Sequence, residues 1–125
     1  MPTVLLQYHD RKEVGMKILL DTLAENLPRI VAEQMNIPGR ELHDGGVSEQ
    51  EILFDAQPYS KYARNTNGLQ ITVRAHRFEE RLARIDEMAE AIKEGVVKFL
   101  RRRRIEHTLK IAVEVDLVDM GYATT

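Results

Sequence analysis

The chain opens with a short apolar run, Thr3–Tyr8, too brief for a helical repeat, and it reads as a strand. From Arg11 the period changes. Leu20, Leu23, Leu27, Ile30 or Val31, and Gln34 or Met35 recur at helical spacing, with Ile18 and Leu19 widening the stripe. Asp10 is placed to cap this helix. Pro28 falls inside the pattern while the apolar phase continues, which predicts a kink, or a second helix starting near Pro28 with Asn26 as its cap. Asn36, Ile37, Pro38 and Gly39 end it.

Residues 39–50 are polar, contain Gly45 and Gly46, and read as loop, followed by a weak strand over 51–55. The stretch 57–68 is rich in Pro, Ser, Asn and Gly and reads as a connection. Leu69, Ile71 and Val73 alternate with Gln70, Thr72 and Arg74, the mark of a strand with one buried face. A helix opening at Phe78 is predicted by Leu82, Ile85, Ala89, Ile92, Val96 and Phe99. Leu109, Ile111, Val113, Val115 and Leu117 alternate with Lys110, Ala112, Glu114, Asp116 and Val118, giving a last strand. The order strand, helix, strand occurs twice, in halves of about 1–57 and 68–125. This predicts an α+β single domain: a doubled βαβ unit with a four-stranded sheet and two helices on one face. The other face carries Thr72, Arg74, Lys110, Glu114 and Asp116. So polar a face, with uncovered sheet edges, predicts a homo-oligomer.

Composition narrows the chemistry. A chain of 125 residues buries about two thirds of its surface on folding, enough for one core without metal or disulfide help. There is no cysteine, which excludes disulfides, thiolate chemistry and cysteine-type zinc sites. Net charge is −2, which argues against a globally basic nucleic-acid binder. The start lacks the pattern of a secretory signal and no run is long enough to span a membrane, so the expected location is the cytoplasm, with no membrane partner.

Three groups could carry chemistry. If Met1 is removed, Pro2 becomes a secondary amine at the chain terminus. Such an amino group titrates near ~8, and burial beside arginines lowers it further, because both disfavour the protonated form. A neutral amine can take a proton from carbon beside a carbonyl or form an imine. The simpler reading is that Pro2 only begins an edge strand. A retained Met1 would block the catalytic role. Arg74, His76, Arg77 and Arg81 gather at the turn from the third strand into the second helix. Guanidinium forks bind carboxylates there. Arg81 and Arg84 are more simply explained by pairing with Glu79, Glu80 or Glu87 on a solvated face, whereas Arg77, a cation at a helix start, invites an anionic partner. The run Arg101, Arg102, Arg103 and Arg104 sits in a last helical turn, where the helix dipole favours cations, and this explains it more simply than nucleic-acid contact. The four histidines show no metal-ligand spacing, and Gly45-Gly46 lacks the pattern of a phosphate loop.

Met1-Pro2 opening into a strand, the doubled βαβ, and the arginine-bearing stretch 75–81 together resemble the tautomerase superfamily, which includes 4-oxalocrotonate tautomerase, 5-carboxymethyl-2-hydroxymuconate isomerase and macrophage migration inhibitory factor. The stretch 115–122 is loosely similar to the end of the inhibitory factor. The resemblance implies a tautomerase or isomerase, with dehalogenase or decarboxylase chemistry as relatives. It implies no cofactor, a homotrimer, and a small carboxylate substrate. Carried over, Pro2 is the acid/base; Arg77 is the first anion binder, followed by Arg81 and Arg74, with Arg40 and Arg11 at positions where some members keep an arginine. Pro28 and residues 41–68 depart from the family pattern. A non-catalytic oligomeric binding or scaffold domain on the same fold is the alternative.

Overall fold

The computed structural model describes residues 2–9, 14–41, 45–105, 107 and 109–119. Four strands form one sheet: β1 (Thr3–Tyr8), β2 (Leu53–Pro58), β3 (Leu69–His76) and β4 (Ile111–Val118). Three helices accompany them: α1 (Val14–Met35), the single turn α2 (Glu79–Leu82) and α3 (Ile85–Arg102). Strand order is β2-β1-β3-β4. The β1/β2 and β3/β4 pairs are parallel, and the central β1/β3 pair is antiparallel. The two parallel pairs are the two βαβ halves, joined by antiparallel pairing of their first strands.

Alternation decides which face is covered. Val4 and Leu6 of β1 and Leu69, Ile71, Val73 and Ala75 of β3 are buried, as is Val115 of β4. They join Leu19, Leu23, Leu27, Val31 and Met35 of α1 and Met88, Ile92, Val96 and Leu100 of α3 in one apolar cluster. The helices cross closely: a Cβ on Gly95 would stand 3.0 Å from the Cγ2 of Ile30. The opposite face carries Thr3, Leu5, Asp55, Arg74, Glu114 and Asp116, as its alternation requires, and Leu53 on that face is 57% exposed.

Several boundaries differ from expectation, each for a physical reason. Residues 14–35 form one continuous helix through Pro28. Proline removes the N–H that would bond Ala24 O, and Ala24 lies on the exposed side, where water can serve that carbonyl. Asn26 caps nothing; its amide donates to Thr22 O at 2.8 Å, inside the helix. Ile18 points outward at 52% exposure, and Met16 takes its place in the stripe. The second strand runs from Leu53 to Pro58 rather than over 51–55, because residues 49–51 form a 3₁₀ turn. The predicted helix from Phe78 is broken at Ala83 and Arg84, and Leu82 is 47% exposed. On β4 only Val115 is fully buried; Ile111, Val113 and Leu117 are half-buried, as suits an edge strand. The Asp10 cap lies outside the described residues. No helix among the described residues is long and apolar enough to cross a membrane.

At the end of the sheet where β1 and β2 finish, His9 Nε2 meets Thr66 Oγ1 at 2.8 Å and its ring lies 4.9 Å from that of Tyr59. Burial pushes the Tyr59 hydroxyl above the ordinary tyrosine range. A raised folded-state value means that stability present below the ordinary tyrosine pKa is lost as pH rises through the folded one. In a spectroscopic alkaline titration, Tyr59 is expected to ionise later than a free tyrosine. Tyr59→Phe should remove that late component while leaving the rest of the curve in place. For the core, Leu23→Ala is expected to cost about 2–5 kcal/mol in chemical denaturation.

Candidate active site

The end of the sheet where β1 starts and β3 finishes collects most of the predicted residues. Pro2 is buried, and its carbonyl accepts the Leu53 N–H at 3.0 Å, which joins it to β2. Thr3 pairs with Arg74, so continuing the antiparallel register by one residue sets Pro2 beside Ala75, on the helix-covered side. The backbone N–H of Arg77 donates to Val118 O at 3.0 Å, fixing the β3–α2 junction against the last residue of β4. Pro2, Arg74, His76 and Arg77 therefore belong to one end of one sheet.

Their side chains have different surroundings. Arg74 stands exposed on the uncovered face, its Nε 3.9 Å from Asp116 Oδ2, the residue beside it in register. An exposed pair that long adds little and leaves the guanidinium available. Arg77 is exposed and makes no side-chain hydrogen bond or ion pair among the described residues. His76 packs its ring edge against Phe78, with centroids 4.7 Å apart. Arg40 is tied to Glu80 by an ion pair of 2.5 Å, linking the loop after α1 to α2. Arg11 lies outside the described residues.

Arg81 corrects an expectation. It does not lie on a solvated face pairing with Glu79, Glu80 or Glu87. It is 4% exposed, the only buried charged side chain among the described residues. Its Nε donates to Met35 O at 3.0 Å, Nη1 to His76 O at 2.9 Å, and Nη2 to Gly45 O at 3.2 Å. Its guanidinium carbon also sits 5.1 Å from the Phe78 ring centroid. Burial depresses its pKa below the ordinary arginine value. Arg81 thus spends its donors on the end of α1, the end of β3 and the intervening loop. An incoming anion would have to displace these bonds, whereas the Arg74 and Arg77 side chains are exposed.

The loop that Arg81 holds explains Gly45-Gly46. Gly45 has φ 110°, a conformation that side chains resist, and a Cβ there would stand 2.6 Å from Ile37 Cδ1. Its carbonyl also accepts the Ile37 N–H at 2.9 Å. A Cβ on Gly46 would stand 2.3 Å from Arg40 O, a backbone atom with nowhere to move. The glycine pair marks this packing in the sequence, but nothing local connects it to Arg81. A separate open cleft of about 490 Å³ lies between Arg29 and Glu33 of α1, Asn36 just after it, and residues 47–50, and contains none of the predicted residues. No group of three or more His, Asp or Glu side chains among the described residues could hold a metal ion.

Two expectations follow. Arg81→Met removes one donor from each of three carbonyls, of which Gly45 O keeps the Ile37 N–H, and should destabilise the fold by about 2–4 kcal/mol in urea titration, with Arg81→Lys intermediate because one ammonium cannot reach all three. Gly46→Ala should lower the melting temperature more than Gly39→Ala, where a Cβ meets nothing within 4 Å although φ is 80°.

No family model matches the chain, and no curated protein matches it in sequence. Solved structures do match it in shape. 5-Carboxymethyl-2-hydroxymuconate delta-isomerase is 14% identical, with all of this chain and 87% of that one covered and a TM-score of 0.61. Malonate semialdehyde decarboxylase, described with decarboxylase and hydratase activities, is 11% identical over 98% of this chain and 91% of that one, at a TM-score of 0.57. A fused 4-OT that forms a symmetric trimer is 14% identical over 97% and 91%, at 0.53. With the doubled βαβ sheet and its two long covering helices, these matches show that the chain has the fold of the tautomerase superfamily.

Proposed function

We propose that this protein is a cofactor-free tautomerase or isomerase that moves a proton within a small carboxylated keto/enol substrate. The observation that carries the reading is the register that sets buried Pro2 at the same end of the sheet as Arg74 and exposed Arg77, whose side chain has no partner among the described residues. In this reading Met1 is removed and the Pro2 nitrogen is a free amine. Neutral, it takes the proton from the carbon beside the substrate carbonyl. The electron pair left on carbon delocalises onto the carbonyl oxygen as an enolate, and the proton returns at carbon or oxygen to give the isomer. Arg77 binds the substrate carboxylate. Arg74 stabilises the negative charge that develops on oxygen, where a preorganised cation acts most strongly. Arg40 stands in the same neighbourhood, held by Glu80, as a subsidiary anion contact.

The assembly proposed is a homotrimer. The uncovered face carries Leu53 and Leu5 among its polar residues, and β2 and β4 are open edges. A second copy on this face would enclose Arg74, which one subunit leaves in solvent. Dehalogenase or decarboxylase chemistry on the same residues would show itself in substrate choice.

The test is enol-to-keto conversion of phenylenolpyruvate or 2-hydroxymuconate, with intact-mass measurement of the protein used. The expected mass lacks Met1. Pro2→Ala should lower kcat/KM by about 10²–10⁴-fold, the range of general acid–base help. Arg77→Gln should raise KM about tenfold or more, as loss of a charge-assisted bond does. A chain that keeps Met1, or a Pro2→Ala variant as fast as the parent, overturns the proposal in favour of a non-catalytic scaffold. Light scattering coupled to size exclusion checks the trimer.

A further inference from the structure

The C-terminal end of α3 carries a charge arrangement that helix electrostatics alone does not account for. Asp86, Glu87, Glu90 and Glu94 occupy its first part; Lys98, Arg101 and Arg102 occupy its end, and Arg103 and Arg104 follow it directly. All four arginines are exposed. None makes an ion pair or side-chain hydrogen bond among the described residues, whereas Arg84, Lys93, Arg40 and Arg74 each have a carboxylate within 4 Å. The helix C-terminus offers roughly half a negative charge, spent within the last turn. Four adjacent guanidinium groups exceed it several-fold. Arg104 lies beyond the helix, with φ 56°.

Part of this cluster is held in place. Arg103 stacks over the ring of Phe99 at 5.2 Å, and Arg29, from α1, approaches the same ring at 6.0 Å. Phe99 is 8% exposed, so it anchors guanidiniums and offers no free face for stacking a base. Consecutive helical residues point about 100° apart, so Arg101 and Arg102 on the last turn and Arg103 and Arg104 just beyond it surround one helix end, an array suited to a compact anionic group rather than an extended strand. Guanidinium forks match phosphate oxygens in pairs.

We propose that Arg101, Arg102, Arg103 and Arg104, flanked by Lys98, form a binding site for a compact oligophosphate, the pyrophosphate-type group shared by inorganic tripolyphosphate and the tail of a nucleoside triphosphate; Arg29 nearby is already paired with Glu33 at 3.2 Å. The site is separate from the candidate active site. α3 ends on the side where β3 and β4 begin, while Pro2 and Arg74 lie some five residues further along β3, roughly 17 Å of strand. The proposal does not depend on the catalytic reading.

The experiment is calorimetric titration of the full chain with sodium tripolyphosphate at low ionic strength, repeated with ATP and with adenosine. Saturable tripolyphosphate binding that weakens as salt is raised is expected, with none for adenosine. The triple variant Arg101→Gln, Arg102→Gln, Arg104→Gln keeps the stacked Arg103. It should bind at least about tenfold more weakly, with an unchanged melting temperature. Equal affinities for ATP and tripolyphosphate assign the free oligophosphate as sufficient; tighter ATP binding assigns the nucleotide. Absence of tripolyphosphate binding, a triple variant that binds as tightly as the parent, or preference for a long single-stranded oligonucleotide overturns the proposal.

Discussion

One buried guanidinium ties three remote backbone segments of this molecule together. Burying a cation is costly unless its donors are satisfied and some negative charge faces it. Arg81 meets both conditions without a carboxylate. Met35, whose carbonyl it takes, ends a 22-residue helix that has no basic residue in its last turn. The negative end of the α1 dipole therefore receives its cation from 46 residues away. The same side chain binds His76 O, at the end of β3, and Gly45 O, in the loop after α1. Three segments that are remote in sequence are thereby set in fixed relation. Arg77 directly follows one of them, and Arg40 precedes another.

This clamp also explains the interruption of the second helical segment. If the chain ran as one helix from Phe78, Arg81 and Leu82 would keep the phase of α3, with Leu82 inside. Instead Arg81 turns inward, Leu82 turns out, and the chain resets at Ala83 and Arg84 before α3 begins. Satisfying three carbonyls outweighs burying one leucine, whose transfer contributes about 1.5–3 kcal/mol. Glu80 uses the same short turn to hold Arg40. Four residues thus join β3, α1 and the loop, which no apolar periodicity would indicate.

The sheet divides labour between its faces. The covered face is continuous apolar surface from Val4 to Val115, packed under two antiparallel helices, with Ile30 of one seated close against Gly95 of the other. The uncovered face mixes Leu5 and Leu53 with Arg74, Asp116 and Glu114. Pro2 sits where the two meet, at the start of a central strand, buried by its own subunit and bonded to β2 through its carbonyl. That position lies between the buried apolar side and the side that carries Arg74.

Periodicity alone determined the α+β architecture. Alternation in Leu69, Ile71 and Val73 and the helical stripe from Leu19 to Met35 are local properties, and pairing rules leave few ways to close two βαβ halves. The sequence also made Pro2, Arg74 and Arg77 candidates, because a residue type at a strand start or a strand–helix junction can be recognised without a distant partner, and the structure sets the three at one end of the sheet. What only the tertiary structure decided were long-range matters: the 51–55 strand sliding to Leu53–Pro58, the broken helix at Ala83, and above all the fate of Arg81. An arginine among glutamates looks solvated when only its neighbours in sequence are considered. Its true partners are main-chain carbonyls, which every residue possesses, so no side-chain pattern announces them; they acquire meaning only once folding brings three backbone segments to one point.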